Sequence, residues 1–261
     1  MIDLITRIQH MGLYERMRES ALRNAYGPFN AFSEIDVEGL PHCAETYNRL
    51  AKKCNGDIIG FVEDDVEFLS PDWDRIVGEI FAEYDPDILG VVGSRVYNGG
   101  GYFDSGSEYS EGLICGNHEG ETHVRIMGER KRFVPVKVVD GMLMFVRRTF
   151  WEKEPFDLEN FDELFYYDTD LCLRADRVGV TSDLLIKHSK PPEFYGKYPT
   201  AMKPVSVYDP ILEKKHNLTR KPSEPRGSPI CCMVSLETFK KEGQTECVRR
   251  FKEKWQAPVS A

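Results

Sequence analysis

The strand-like stretch DIIGFV, residues 57–62, runs directly into three carboxylates, Glu63, Asp64 and Asp65, and then into the turn sequence SPDW. Ionised side chains are seldom carried to the end of a buried strand unless they are paired or hold a metal. Whatever fold the chain adopts must therefore bring this strand tip to positive partners. Two kinds fit: a divalent cation, which takes oxygen ligands and shares them with phosphates, or Lys and Arg side chains around a turn that the acids merely begin.

The sequence before and after the acids narrows the architecture. IDLITRI reads as a strand, and LYERMRESALRNAYG as a helix with Leu13, Met17 and Ala21 on one face, closed by Gly27. FNAFSEIDV reads as a second strand, AETYNRLAKKCNG as a second helix ending at Gly56, and DIIGFV as a third strand. Alternation of this kind predicts an α/β fold with a mixed, mainly parallel sheet flanked by helices. In such sheets ligands bind outside the carboxyl ends of the strands, which is where residues 63–65 fall.

Further along, WDRIVGEIFAEY predicts a helix and DILGVVGSRV a fourth strand. Residues 98–133, rich in Gly, Ser, Asn and Tyr, read as a long surface loop of the kind that binds or covers ligands. VPVKVVDGMLMFVRR is a strand pattern broken by Asp140 and Gly141. FDELFYYDTDLCLRADRVG reads as a loop entering a helix that stops at Gly179, and VTSDLLIKH as the last strand. From Ser189 the chain is basic and Pro-rich, with a late helical segment, SLETFKKEGQTECVRRFKEKW. The expected division is an α/β domain over residues 1–188 and a basic, Pro-rich C-terminal extension over 189–261.

Composition excludes some classes. No apolar run among the 261 residues approaches a membrane span, and MIDLITRIQH lacks a basic segment followed by an apolar one, so a cytoplasmic protein is expected. Seven cysteines without a C-x-x-C pair suggest reduced core thiols. His118 and His123 have no fixed ligand spacing and are not read as zinc ligands. The net charge of −9 is unevenly spread: residues 187–261 carry 15 Lys and Arg against 8 Asp and Glu. That segment either meets something anionic or is an ordinary solvated surface.

Four motifs in order, DIIGFVEDDV, VVDGMLMFVRR, FYYDTDLCLRA and IKH, resemble the family-two glycosyltransferases of the GT-A fold, in particular their glycosyltransferase-like bacterial and phage branch. The resemblance covers about residues 1–190. It implies that Glu63, Asp64 and Asp65 stand at the family's D-x-D signature, with Asp65 on a Mn²⁺ or Mg²⁺ bound to a nucleotide-sugar diphosphate. The chain departs from the pattern in having Glu63 where many members have Asp. The resemblance makes Asp168 the general base of an inverting transfer, although a helix N-cap is the alternative reading of that residue. It also implies that His188 completes the metal or diphosphate site, where a structural strand-end histidine is the alternative. Thr6, Arg7, Glu34, Asp36 and Asn48 would contact base, ribose or phosphate, with Asp140 and Gly141 beside the donor sugar.

The resulting expectation is a metal-dependent glycosyltransferase using a nucleotide-sugar, with UDP the nucleotide most frequent in the family. The acceptor is a saccharide or glycolipid, or a hydroxymethylated base in phage DNA, which the basic tail would suit. A non-catalytic glycan- or sugar-nucleotide-binding module is one rival. A nucleotidyltransferase is another, though LITRIQHMG supplies no Gly-rich phosphate loop.

Overall fold

The computed structural model describes residues 1–36, 43–97, 109–118, 121–128, 130–161, 166–188, 214–216 and 231–235. Its first strands, β1 (Ile2–Ile8), β2 (Asn30–Ile35) and β3 (Ile58–Glu63), lie parallel in the order β2-β1-β3. The crossovers that parallel pairing demands contain α1 (Met11–Asn24) and α2 (Cys43–Ala51). After residues 64–65 come β4 (Val66–Phe68), α3 (Trp73–Tyr84), β5 (Ile88–Gly90) and β6 (Val92–Ser94). Then follow β7 (Ser110–His118), β8 (Glu121–Met127), β9 (Val134–Pro135), β10 (Val138–Val139) and β11 (Leu143–Arg147). The last elements are α4 (Arg148–Lys153), α5 (Tyr167–Arg174), β12 (Val178–Val180), β13 (Ile186–His188) and β14 (Cys231–Ser235).

One sheet runs β2-β1-β3-β11-β5-β12-β9, with β11 antiparallel to both neighbours. Its two faces carry separate aromatic clusters. Phe61 packs against Tyr47 of α2 and Phe156, which in turn meet Tyr167 of α5. On the opposite face Phe145 stacks on Trp73 of α3, whose indole N–H donates to the carbonyl of Ala21 in α1. Edge-to-face and offset ring pairs add about 0.5–1.5 kcal/mol each beyond their burial, so these contacts fix the helices on the sheet.

A second sheet, β10-β6-β7-β13-β4, extends through β8 to β14. It corrects the reading of residues 98–133 as loop. Within that stretch β7 and β8 form an antiparallel hairpin whose buried residues alternate, Leu113 with Cys115 and Val124 with Ile126. The C-terminal segment joins this sheet, since β14 pairs with β8 from Cys231 opposite Met127 to Ser235 opposite His123.

Several expected boundaries move. α1 ends at Asn24 rather than at Gly27, because the Asn24 amide turns back to the carbonyls of Ser20 and Phe68. α2 ends at Ala51, before tighter turns at Lys53 and Cys54, and not at Gly56. Gly179 lies in β12 instead of ending a helix; a Cβ there would come within 2.1 Å of the Phe133 ring. The strand read over 87–96 is two, β5 and β6, one in each sheet. Cys43, Cys115 and Cys172 are buried and Cys54 is half-buried, and none of the four is in a disulfide. Among the described residues no helix is long and apolar enough to cross a membrane. The Pro-rich stretch after Ser189 and the late helical segment after Ser235 lie outside the described residues.

Candidate active site

Strand register assembles the site. β1 and β3 end side by side with Arg7 opposite Glu63. Antiparallel β11 starts beside the end of β3, where the Glu63 N–H donates to the carbonyl of Met142 at 2.9 Å. β13 runs antiparallel to β4 with His188 opposite Val66, the residue that follows Asp65. Three separate connections thus converge on one strand tip.

His188 Nε2 lies 3.2 Å from Glu63 Oε2 and 3.3 Å from Asp65 Oδ2. One ligand atom from each of the three residues falls within 4.8 Å of the others. Neighbouring ligands around a cation with bonds of about 2.0–2.3 Å stand about 3 Å apart, so the set fits a bound divalent ion. Burial alone would lower the imidazole pKa, but the two carboxylates overcome it and hold His188 well above its ordinary value. The Asp65 side chain is fully buried.

Asp64 does not join its neighbours. Its Oδ2 accepts the backbone N–H groups of Gln9 at 2.7 Å and His10 at 2.6 Å, so the carboxylate anchors the corner between β1 and α1. Burial, more than these bonds, sets its pKa, which is raised.

Facing the triad is the corner between β10 and β11. Asp140 Oδ1 accepts the N–H of Met142 at 2.9 Å, and the N–H of Gly141 donates to Asp168 Oδ2 at 2.8 Å. Asp168 also accepts the Thr169 N–H at 2.7 Å. No side chain caps α5, so Asp168 sits in the first turn with its oxygens committed to Gly141 and Thr169. The N-cap alternative is therefore not what the geometry gives. Both acids are half-buried, with part of each residue still open to solvent. Burial pushes Asp168 up to about 6, and burial together with the Asp168 charge pushes Asp140 up to about 7.

α5 begins from a strained residue: Tyr166 has φ of 65°, in the left-handed region that bulky side chains rarely enter. Such conformations cost on the order of 1–3 kcal/mol and cluster at functional sites.

The other expected contacts divide. Thr6 is buried in β1, and Arg7 is buried with its guanidinium 3.3 Å from Asp36, on the Glu63 side of the sheet. Glu34 instead pairs with Arg49 of α2 at the surface. Asn48 is a correction to the expected nucleotide contact. Its amide donates to the Phe156 carbonyl at 2.8 Å and accepts the N–H groups of Trp151 and Phe156, tying α2 to the segment after α4. The sequence reading missed a further cluster around Asp170, made with Arg174, Lys215 and His216. Only the Asp170 and Arg174 spacing, one helical turn, signalled it.

An α/β sheet that gathers acids and a histidine at the carboxyl end of its strands defines a ligand-handling enzyme scaffold. The chain belongs to the glycosyltransferase-like family, whose model matches residues 4–195, and its fold is GT-A. Among solved structures it is similar to S. aureus TarS 1–349, with TM-score 0.51 and 15% identity over 84% of this chain and 67% of that one. It is similar to the same fragment in complex with UDP-GlcNAc, with TM-score 0.50 and 13% identity over 84% of this chain and 68% of that one. No curated protein sequence matches it.

Proposed function

We propose that the protein moves a sugar from a nucleotide-sugar donor to an acceptor hydroxyl with inversion, assisted by a divalent metal. The observation that carries this reading is the convergence of Glu63, Asp65 and His188 within 4.8 Å, opposite a partly open Asp168 of raised pKa. Two carboxylates and one imidazole suit Mn²⁺, or Mg²⁺ with added waters. When bound there, the ion would neutralise the donor diphosphate as it leaves.

The chain's own residues do the remainder. Thr6, Arg7 and Asp36, at the ends of the first two strands, receive the nucleotide, with Arg7 suited to phosphate. Asp140 and the Gly141 backbone border the donor sugar. Asp168 takes the acceptor hydroxyl proton as that oxygen attacks the anomeric carbon from the face opposite the departing diphosphate. One bond forms to the acceptor oxygen as the bond to the diphosphate oxygen breaks, so the anomeric configuration inverts. The UDP-GlcNAc complex of TarS, which shares the fold, supports a UDP-sugar donor. A saccharide or glycolipid acceptor and a modified DNA base both remain compatible with this chemistry.

The test is nucleotide release from a panel of nucleotide-sugars with Mn²⁺, with EDTA, and with Asp65→Asn. Release that needs both Mn²⁺ and Asp65 supports the reading. Release undiminished in EDTA overturns its metal dependence, and binding of a donor without release or transfer to any acceptor favours the non-catalytic module.

A further inference from the structure

Asp170 is fully buried on α5, two residues after Asp168, and three basic side chains close on it. Arg174, one turn along the same helix, holds Oδ2 at 3.0 Å. Oδ1 is held from outside the helix: Lys215 Nζ and His216 Nε2 each lie 2.8 Å from it. Lys215 also reaches Asp157 Oδ2 at 2.6 Å and stands over the Phe161 ring at 5.5 Å from its centroid. A single ammonium thus ties Asp157, which precedes α5, to Asp170 within the helix.

The placement bears on the reacting end of the molecule. Tyr166 enters α5 in a strained conformation, and strain of this kind persists only where surrounding contacts over-determine it. Lys215 grips the chain on both sides of that residue, at Asp157 and Phe161 before it and at Asp170 after it. Both basic residues come from beyond residue 195, where the family match ends.

We propose that Lys215 and His216 are positioning residues for the catalytic base: by clasping Asp170 to the segment at Asp157 they fix the first turn of α5, and with it the Asp168 carboxylate opposite Gly141. The proposal rests on the reading of Asp168 as the base. It assigns part of the basic charge of the C-terminal segment to an anionic partner inside the protein rather than to an acceptor.

The experiment compares amide hydrogen exchange and the ¹³C titration of Asp168 in the full-length protein, in the pair Lys215→Met with His216→Ala, and in Lys215→Arg alone. The clasp predicts that exchange in α5 of the double variant speeds up at least about tenfold more than exchange in β1 and β3. It also predicts a displaced Asp168 titration, with both effects reversed in Lys215→Arg. With a donor that supports turnover, kcat falls about tenfold while donor Kd stays within about twofold, as expected when a reacting group is misplaced. Unchanged α5 exchange overturns the proposal. So does faster exchange spread evenly over the chain, which would mark general destabilisation. Asp168→Asn is assayed in parallel: normal turnover there removes the base reading, whereas a dead Asp168→Asn beside a fully active double variant removes the clasp alone.

Discussion

The Gly141 N–H donates to Asp168 Oδ2 at 2.8 Å, joining the start of β11 to the first turn of α5 across 27 residues of chain. The bond needs a residue without a side chain. A Cβ on Gly141 would stand 2.6 Å from the Tyr167 hydroxyl and 3.0 Å from the same Asp168 oxygen. Tyr167 is itself wedged among Tyr47 and Phe156, so it has little room to retreat.

Gly141→Ala is expected to displace Asp168 rather than unfold the protein. Overpacking of this kind costs about 1–3 kcal/mol, and a base moved by even a fraction of an ångström loses rate steeply. Melting and turnover measured on one preparation should show a modest fall in Tm beside a loss of kcat of roughly tenfold or more. Wild-type values for both would mean that the corner is not under the constraint described.

Asp168→Asn should lower kcat by about a hundredfold or more and leave donor affinity nearly unchanged, because a general base acts in the transition state. The pH dependence has a definite sign. Burial raises the Asp168 pKa to about 6, and the base must be ionised, so kcat should climb as pH rises through about 6 and level off above it. A wild-type profile already flat from pH 4 upward would remove Asp168 from this role.

Asp157 supplies a stability test at the opposite end of the scale. Burial opposes its ionisation, but Lys215 and Asn160 outweigh burial and bring its pKa from 3.8 down to about 2. A carboxyl held down in the fold contributes fully above its unfolded pKa, and the contribution disappears as pH falls from about 4 through about 2. Lys215→Met should therefore be less stable than wild type by about 1–2 kcal/mol at pH 7. In urea unfolding that gap should narrow below about pH 4, whereas a gap independent of pH would place the loss elsewhere.

Much of this architecture was legible because local pattern and tertiary environment agree. WDRIVGEIFAEY is helical from Trp73 to Tyr84 as its period requires, and DIIGFV delivers Glu63 and Asp65 to a strand end. What the pattern concealed depended on partners distant in the chain. The hairpin of β7 and β8 was hidden by Gly, Ser and His, although Leu113 and Cys115, then Val124 and Ile126, already alternate as strand residues do. Asp64 looked identical to its neighbours, yet two backbone N–H groups from the end of β1 turn it aside. Asn48 reads from the resemblance as a nucleotide contact and is instead a buried cross-link, and no local periodicity reveals that Trp151 and Phe156 fold back onto it.

Calorimetric titration of UDP into wild type and Asp65→Asn, each with Mn²⁺ and with EDTA, tests the strand-tip site most directly. A ligand whose diphosphate shares a cation with the protein binds far better when that cation and its ligands are present. The account predicts UDP binding to wild type with Mn²⁺ at least about tenfold tighter than in EDTA, and no such gain in Asp65→Asn. Equal affinity in all four titrations would contradict it.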